Sequence, residues 1–364
     1  MKILLVSGIY PPDIGGPATF IPGFEAYLKE QGHEVNVVTL SDNTKNSREI
    51  YPAVNFVSRR LHFFVRQIVT LFIISRNSRK ADVIFSNGLF EECALIALTF
   101  GKKVVFKIVG DPIWERYRNR TSENISIENF NQARLPLRFR VQRHLLRLGL
   151  NQGYAICTPS PQLSALIRDW GVKAPITVIP NGVPVFDIPQ DVEISFDVIT
   201  VSRLVSWKNI NLIIKVCQER NLRLGIIGAG PEYSNLKQQA LACNARVVFL
   251  GELQGANLNS AIASGRVFTL FSQYEGLSFA LIAAMMLGRY VVASDIPGNR
   301  NVITSGFNGV LVPIHALDLY GESLKAGMSN DKSVILMREH AREIAVRDFS
   351  DVKCYEQTTA ILRC

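Results

Sequence analysis

The chain has 364 residues, of which 48% are hydrophobic and 20% are charged, and its formal net charge is +9. These proportions exclude a disordered chain and are typical of a globular protein with about two to three domains. The positive charge predicts anionic partners such as a nucleotide, a phosphorylated substrate or acidic lipid headgroups. It does not favour nucleic acid, because no DNA-binding or RNA-binding motif accompanies it.

The six cysteines form no Cys-x-x-Cys pair and no disulfide framework, which favours a reducing cytosol and gives no support for a zinc site. The five histidines show no ligand spacing, and no Asp-x-Asp triplet is present to hold a metal on a diphosphate. No apolar run approaches the roughly 20 residues that a membrane-spanning helix needs. We therefore predict a cytoplasmic protein without a metal site or a spanning helix.

The first half of the chain alternates short apolar runs with helical patterns. Such alternation predicts repeated βα units in a parallel sheet that is covered by helices on both faces. The predicted strands are residues 2–7, 34–40, 54–58, 83–86, 103–109, 154–158 and 177–179. The predicted helices are residues 19–31, 63–77, 91–99 and 135–150.

A stretch rich in proline and glycine, at residues 180–184 and 188–191, interrupts the alternation and predicts a linker. Alternation then restarts, with predicted strands at residues 196–201, 222–228, 246–250, 266–271, 290–294 and 309–313. We predict an α/β protein with two Rossmann-like, doubly wound domains that face each other across a cleft. The first covers residues 1–185 and the second residues 186–345, and a helix at 346–364 is expected to pack back towards the N-terminal domain.

Two cations, Arg203 and Lys208, follow the predicted strand at residues 196–201. The loops at the carboxyl edge of an open α/β sheet are where such proteins bind ligands. Two positive side chains at that edge, together with the N-terminus of a nearby helix, suit a diphosphate. The sequence therefore predicts that a diphosphate-bearing ligand binds in the second domain.

Glycine-containing turns follow predicted strands in both halves of the chain. Gly15 and Gly16 come after the first strand and before a helix whose N-cap we place at Thr19. Gly228 and Gly230 follow a strand of the second half. Glycine lets the backbone approach a ligand closely, but each turn is also compatible with an ordinary strand-to-helix connection.

Acidic residues follow two other predicted strands. Glu275 and Gly276 precede an apolar helix that we expect to begin near Ser278, where free amides and the helix dipole favour a phosphate. The Glu275 carboxylate can accept hydrogen bonds from sugar hydroxyls. Asp111 follows the strand at residues 103–109, and two roles are open to it: orienting a sugar or acceptor hydroxyl, or capping the next turn.

Two basic stretches accompany predicted helices. Basic amphipathic helices can lie on an anionic membrane, and the alternative is a solvated basic face on helices that cover the sheet. The basic residues are Arg59, Arg60, Arg66, Arg76, Arg79 and Lys80 in the first stretch, and Arg134, Arg138, Arg140, Arg143 and Arg147 in the second.

Taken together, these motifs resemble those of the retaining glycosyltransferases of family 4, which have the GT-B architecture. They occur in the family's order and span most of the chain. The matching segments are Pro11-Pro12-x-x-Gly-Gly16, Pro180-Asn-Gly-Val183, Ser202-Arg-x-x-x-x-Lys208-Asn, Gly228-x-Gly-Pro-Glu232, and Ser272-x-x-Glu-Gly through Gly288-x-x-Val-Val-Ala-Ser-Asp295.

The resemblance implies a metal-independent hexosyltransferase that needs no cofactor and uses a nucleotide-diphosphate sugar as co-substrate. The acceptor would be a glycan or a lipid-linked molecule, in polysaccharide or lipopolysaccharide biosynthesis. The enzyme would be cytoplasmic or peripheral on the cytoplasmic face of the inner membrane. This type of enzyme is thought to need no protein base, because the departing phosphate oxygen takes the proton of the acceptor.

The resemblance also implies roles for individual residues. Arg203 and Lys208 would hold the diphosphate and stabilise it as the leaving group. Glu275 would contact the donor sugar, and Asp111 stands where the family usually has its catalytic-cleft histidine, so the implied catalytic residues are Arg203, Lys208, Glu275 and Asp111. The implied substrate-binding residues are Gly15, Gly16, Asn181, Gly228, Gly230, Gly276, Leu277 and Ser278.

Two positions depart from the family pattern. The second glutamate of the Glu-x7-Glu motif, which typically receives ribose hydroxyls, is replaced by Ala283, and Asn301 stands where glutamate is frequent. Losing one charge-assisted hydrogen bond lowers donor affinity by roughly one to two decades. Two alternatives therefore stay open beside the transferase: a sugar-nucleotide epimerase of the same fold, and a degenerate nucleotide-sugar-binding or scaffold protein.

Overall fold

A computed structural model describes residues 1–121, 125–189 and 192–363. The chain forms two compact units. The first consists of Met1–Pro180 and Cys354–Cys364, and the second of Asn181–Lys353. The predicted linker at residues 188–191 includes positions 190 and 191, which lie outside the described residues.

The first unit is built on a sheet of seven parallel strands. These are β1 (Lys2–Ser7), β2 (Glu34–Ser41), β3 (Val54–Ser58), β4 (Val83–Asn87), β5 (Lys103–Lys107), β6 (Ala155–Thr158) and β7 (Ile176–Val178), in the order β3-β2-β1-β4-β5-β6-β7. The helices between them are α1 (Gly16–Glu30), α2 (Thr44–Ile50), α3 (Phe63–Ser78), α4 (Phe90–Phe100), α5 (Pro112–Arg120), α6 (Ile127–Gln132), α7 (Leu137–Leu150) and α8 (Pro161–Asp169).

The second unit has a parallel sheet of six strands. These are β8 (Phe196–Val201), β9 (Leu224–Ile227), β10 (Val247–Gly251), β11 (Gly265–Leu270), β12 (Tyr290–Ser294) and β13 (Val310–Val312), in the order β10-β9-β8-β11-β12-β13. The helices are α9 (Ile210–Glu219), α10 (Tyr233–Ala242), α11 (Gly255–Ala263), α12 (Phe279–Met286), α13 (Pro297–Arg300), α14 (Leu317–Ala326) and α15 (Lys332–Asp348). The last helix of the chain is α16 (Asp351–Arg363).

Both faces of the second sheet are buried. Successive residues of a strand point to opposite faces, so Val198 and Ile199 of β8 enter different hydrophobic clusters. Val267 and Phe268 of β11 divide between the same two clusters. This double burial explains why the strands are continuous apolar runs without polar alternation.

Aromatic residues form much of the core of the first unit. Phe20 and Phe24 of α1 contact Phe85 of β4, with ring centroids 6.0 and 5.3 Å apart. Tyr355 of α16 stacks on Phe24 at 5.5 Å. The last residues of the chain thus complete the core of the unit that contains its first residues.

Every predicted strand is present, with ends at most two residues from the prediction. The predicted start of α1 is wrong: the helix begins at Gly16, and the hydroxyl of Thr19 donates to the Gly15 carbonyl instead of capping. The helix predicted at residues 346–364 begins later, at Asp351, after the end of α15. The short helices α2 and α5 were not predicted, because their residues are largely polar and show little apolar periodicity.

Candidate functional site

The loop that follows β8 carries both predicted cations. It passes through a 3-10 turn, Ser206–Lys208, and ends where α9 begins. Asn209 lies at this end in the left-handed conformation, with φ of 51°, and its buried side chain donates to the carbonyl of Phe271 at 3.0 Å. Because the Gln273 side chain donates to Asn209 Oδ1 at 3.2 Å, the loops after β8 and β11 are joined at the carboxyl edge of the sheet.

Gly228 and Gly230 lie in the loop after β9 and touch the loop that bears the cations. A Cβ on Gly228 would lie 2.0 Å from the carbonyl oxygen of Ser202, and one on Gly230 would lie 2.3 Å from that of Leu204. The amide of Leu204 also donates to the carbonyl of Ala229 at 2.9 Å. The two glycines therefore set the path of the cation-bearing loop, and their contact with a substrate stays a prediction.

Lys208 and Glu275 form an ion pair that is largely shielded from solvent. Lys208 Nζ lies 2.5 Å from Glu275 Oε1, and the two side chains are 17% and 9% exposed. Ser272 Oγ donates to the same carboxylate oxygen at 2.6 Å. Within the described ranges, Glu275 Oε2 receives no hydrogen bond, and Lys208 keeps two of its three donors. Lys208 can therefore still donate hydrogen bonds to a ligand, and Glu275 can still accept one.

Arg203 lies in the same loop and is exposed. Its guanidinium forms no hydrogen bond or ion pair with any described residue. Since a guanidinium carries five N–H donors in a planar fork, this side chain can bind a phosphate through two oxygens at once. The structure thus places one cation in contact with Glu275 and leaves the other unpaired.

Three consecutive amides follow Glu275, those of Gly276, Leu277 and Ser278. None of them finds a hydrogen-bond acceptor in the part of the chain that the structure describes. Ser278 is the N-cap of α12, as predicted, and its hydroxyl accepts from the amide of Leu281 at 3.3 Å. Unpaired amides at a helix N-terminus favour an anion or a sugar oxygen.

Asn181 acts on this loop from a distance in sequence. Its side chain is 2% exposed and donates through Nδ2 to the carbonyl of Leu277 at 3.0 Å. This hydrogen bond holds the backbone between Glu275 and α12, and the contact of Asn181 with a substrate stays a prediction. Asn181 Oδ1 is also buried and has no hydrogen-bond partner among the described residues, so the side chain keeps one acceptor that the protein does not use.

Three residues that support the Glu275 loop were missed in the sequence. A Cβ on Gly298 would lie 2.0 Å from the carbonyl oxygen of Glu275. Ser294 Oγ donates to the carbonyl of Ser272 at 2.6 Å, and Asn299 Nδ2 donates to the carbonyl of Ser294 at 2.9 Å. The available signal was the Pro297-Gly298 dipeptide, which begins three residues after the end of β12 and is typical of a turn.

The two departures from the family pattern have different surroundings. Ala283 is 7% exposed and belongs to the hydrophobic cluster that α12 forms with the sheet. Asn301 is half-buried and donates through Nδ2 to the carbonyl of Pro297 at 3.0 Å. Ala283 is therefore a core residue of the second unit.

An arginine holds the glycine turn after β1. Arg59 Nη2 donates to Asp13 Oδ2 at 2.5 Å and to the carbonyl of Gly8 at 2.8 Å. Gly15, with φ of 151°, is the residue before α1, which begins with Gly16. Arg59 was assigned to a basic surface from the sequence. That assignment is wrong, because its guanidinium ties this turn to the end of β3.

Asp111 is completely buried and uses both carboxylate oxygens within the first unit. Oδ1 accepts from the amides of Ile113 and Trp114 at 2.8 and 3.0 Å, and Oδ2 lies 2.7 Å from Arg143 Nη2. Burial raises the pKa of Asp111, while Arg143 and the two amides oppose this change. Of its two predicted roles, the contacts fit the cap of α5, and Arg143 is internal instead of solvated.

The described residues offer neither a cluster of metal ligands nor a helix that could span a membrane. Among residues 1–121, 125–189 and 192–363, no group of three or more His, Cys, Asp or Glu side chains is arranged to hold a metal ion. Nor does any helix in these ranges combine the length and the apolar character that crossing a bilayer requires. Positive charge at the carboxyl edge of the second sheet comes from Arg203 and Lys208.

Two family profiles match the sequence. The one described as Glycosyltransferase Family 4 matches residues 14–185, and the one described as Glycosyl transferases group 1 matches residues 188–344. The alpha-monoglucosyldiacylglycerol synthase of Streptococcus pneumoniae is 23% identical over 380 residues, which cover 96% of this chain and 83% of the relative. One subunit of the phosphatidylinositol N-acetylglucosaminyltransferase of Arabidopsis thaliana is 25% identical over 327 residues, which cover 83% of this chain and 69% of the relative.

Solved structures share the fold. Anabaena Alr3699/HepE in complex with UDP and glucose superposes with a TM-score of 0.78 at 19% identity, covering 100% of this chain and 99% of the other. Sucrose-phosphate synthase from Thermosynechococcus elongatus superposes with a TM-score of 0.83 at 16% identity, covering 100% and 98%. The predicted class, two doubly wound α/β domains, is confirmed.

Proposed function

Because this chain belongs to family 4 of the glycosyltransferases and has the GT-B fold, we propose that it moves a hexose from a nucleotide-diphosphate sugar to a hydroxyl of a glycan or glycolipid acceptor, with retention at the anomeric carbon. The observation that carries the proposal is the Lys208–Glu275 ion pair in the loops beside the unpaired Arg203. We assign the donor to the second unit and the acceptor to the first, with the domain boundaries expected from the sequence.

The diphosphate of the donor would bind to Arg203 and Lys208. Arg203 offers its whole guanidinium, and Lys208 offers two donors while it keeps Glu275 in place. Glu275 Oε2 would accept from a hydroxyl of the donor sugar, and the amides of Gly276 and Ser278 would donate to sugar or phosphate oxygens. Each group proposed for binding therefore has hydrogen-bonding capacity that the protein itself does not use.

The difficult step is cleavage of the bond between the anomeric carbon and the phosphate oxygen. Negative charge grows on the departing diphosphate, and the two cations stabilise it more strongly as it develops. The phosphate oxygen that leaves takes the proton of the acceptor hydroxyl, whose oxygen forms the new bond on the same face of the sugar. We propose that Arg203 and Lys208 supply the positive charge for this step in place of a metal ion.

A ligand screen followed by a transfer assay tests the donor. We expect one nucleotide-diphosphate sugar to raise the unfolding temperature of the full chain, because a ligand that binds the native state stabilises it. The same compound, labelled in its sugar, should yield a labelled glycan or lipid product. Stabilisation without transfer to any acceptor would identify a binding protein and contradict the proposed catalysis.

We further propose that the first unit docks on an anionic membrane to reach a lipid-linked acceptor. On α3, Phe64, Ile68 and Phe72 are 69%, 68% and 67% exposed, and their spacing places them on one face. On α7, Leu137 and Leu145 are 72% and 55% exposed. Large apolar groups that remain in water on helices of one unit mark a binding surface.

Helix α4 packs against both α3 and α7, and we propose that the exposed apolar side chains of these three helices form one region. We call it the α3–α7 face, and it consists of Phe64, Ile68, Phe72, Leu98, Leu137, Val141 and Leu145. Exposed cations of the same helices and their flanks are Arg76, Arg79, Lys80, Arg134, Arg138 and Arg140. Apolar side chains flanked by cations suit insertion among anionic headgroups at the membrane surface.

The names of two relatives agree with a lipid acceptor. One relative is named for diacylglycerol and the other for phosphatidylinositol. Flotation with vesicles containing anionic lipid tests the membrane proposal. We expect the wild-type chain to float and the triple variant Phe64→Ser, Ile68→Ser, Phe72→Ser to stay in the aqueous fraction.

A matched control for flotation is Leu241→Ser, because Leu241 is 74% exposed but lies on α10 of the second unit. It should float like the wild type. A wild-type chain that does not bind the vesicles, or a triple variant that floats equally well, contradicts the membrane proposal. A wild-type dimer that the triple variant converts to a monomer would assign the α3–α7 face to a second copy of the chain.

A further inference from the structure

Three arginines line one cavity at the amino edge of the second sheet, away from the loops described above. The cavity has a volume of about 310 Å³. Arg266 enters it from the start of β11, Arg289 from the residue before β12, and Arg338 from α15. Because β11 has six residues, and a strand rises about 3.3 Å per residue, the cavity lies about 20 Å from the Glu275 loop.

The arginines keep many unused donors. Arg289 is 8% exposed, and its Nε and Nη1 donate to the carbonyls of Leu287 and Ala263 at 3.1 and 3.0 Å. Arg338 Nε donates to the carbonyl of Gly288 at 2.8 Å. In the described ranges, Arg289 Nη2, both Nη atoms of Arg338 and all of the Arg266 guanidinium have no acceptor.

Within the described ranges, carboxylates do not neutralise the charge of the cavity. Among the described residues, no acidic side chain lines it, and none of its three arginines forms a salt bridge. Burial lowers the pKa of Arg289 to about 10, and the positive charge of Arg338 acts in the same direction. A buried guanidinium beside another cation is stabilised by an anion that binds both.

Helix ends offset part of this charge. The carbonyls of Ala263 and Leu287 lie at the C-termini of α11 and α12, and Gly327 follows the last residue of α14. Each helix C-terminus carries roughly half a negative charge, so three of them cancel about half of three positive charges. The remainder matches an anion of about two negative charges, such as a phosphate.

We propose that this cavity is a second anion site, which binds a phosphate or diphosphate group apart from the donor. Arg289 and Arg338 would hold the anion from within, while Arg266 would bind it at the entrance. Ser329 and Asn330 also line the cavity and offer polar side chains. The site lies on the second unit alone, and it does not depend on the transferase activity.

Calorimetric titration of the full chain with inorganic pyrophosphate at fixed ionic strength tests this site. The wild type should bind two equivalents, one at each edge of the sheet. Arg203→Ala should lose one of them, and Arg266→Gln should lose the other through a drop in affinity of about tenfold or more. The double variant should bind neither. Inorganic phosphate in place of pyrophosphate shows whether one phosphate group is sufficient.

Arg246→Ala is the matched control, because Arg246 is exposed at the same edge of the sheet, directly before β10, but does not line the cavity. It should retain both equivalents, which separates a built site from attraction by net charge. The proposal is overturned if Arg266→Gln binds like the wild type in the Arg203→Ala background, or if Arg246→Ala weakens binding equally. Arg338→Gln, at a half-buried position of α15, provides a second test that spares the buried Arg289.

Discussion

The two units each contain a carboxylate paired with a cation, and the pairs differ in what they leave unused. Asp111 is 0% exposed, and its two oxygens accept from two amides and from Arg143. Glu275 is 9% exposed, and its contacts with Lys208 and Ser272 both fall on Oε1. The first pair is complete without a ligand, whereas the second has an oxygen and several N–H donors in reserve.

This difference separates a structural ion pair from a binding one. Both carboxylates follow a strand of a parallel sheet, so position alone ranks them equally as site residues. A carboxylate whose lone pairs are all taken by the protein cannot accept from a substrate hydroxyl without breaking a bond of the fold. We therefore expect substitutions in the first pair to lower stability, and substitutions in the second to lower activity.

The largest effect is expected from breaking the ion pair of Asp111 and Arg143 in the first unit. Asp111→Asn retains an oxygen for the two amides but leaves Arg143 without its counter-charge. We expect the free energy of unfolding to fall by about 3–5 kcal/mol, the cost of removing one partner from a buried ion pair. Denaturant titration measures it. Asp318→Asn is the control, since Asp318 is fully exposed beside Arg220 and should leave the unfolding midpoint unchanged.

Asp111→Asn also discriminates between the two roles predicted for this residue. A stable variant whose turnover is lost would restore Asp111 to the catalytic site. A destabilised variant whose folded fraction keeps its turnover would establish the capping role.

The next largest effect is expected from breaking the ion pair of Lys208 and Glu275 in the second unit. Lys208→Ala should lower turnover by about 10²–10³-fold, or roughly 2.7–4 kcal/mol of transition-state stabilisation, as when one oxyanion donor is removed. Its unfolding midpoint should fall less than that of Asp111→Asn, because the Glu275 side chain is 9% exposed and still accepts from Ser272 Oγ. Lys215→Ala, on an exposed position of α9, is the matched control and should keep full turnover. Turnover of Lys208→Ala at the wild-type rate would refute the proposed role.

The smallest effect concerns Ala283, where the family pattern has a glutamate. The sequence alone suggests that Ala283→Glu raises donor affinity, but Ala283 lies in an apolar cluster. We expect the longer side chain to lower the free energy of unfolding by about 1–3 kcal/mol and not to tighten the donor. Denaturant and ligand titrations measure both quantities. Ala360→Glu, at an exposed position of α16, controls for the substitution itself, and a tighter donor in Ala283→Glu would contradict the expectation.

Much of the fold was predictable because strands that are buried on both faces of a parallel sheet are continuous apolar runs in the sequence. The apolar run from Phe196 to Val201 has this form, and it is β8 as predicted. Short polar helices show neither such a run nor a clear apolar periodicity. For Asp111, for example, the sequence offered a capped turn but did not predict the helix α5 that follows it.

The candidate site was predictable where a residue type has a clear chemical preference, as with Arg203, Lys208 and Glu275. Supporting residues were missed because their partners are distant in sequence. Arg143 contacts a carboxylate 32 positions away, and Gly298 is required only by the closeness of the Glu275 carbonyl. A glycine or an arginine seen alone does not reveal which backbone or side chain it will touch.

The position of Tyr355 has a consequence for how the chain is made. Its hydroxyl would lie 2.2 Å from a Cβ on Gly23, and its ring contacts Phe20 and Phe24. During synthesis, the ribosome has to complete residues 181–353 before this ring is available. The first unit to emerge therefore waits, with part of its aromatic core open to water, until the second has been translated. We therefore expect this half to be the more prone to aggregation during synthesis, since such non-local closure is slow and leaves apolar surface exposed.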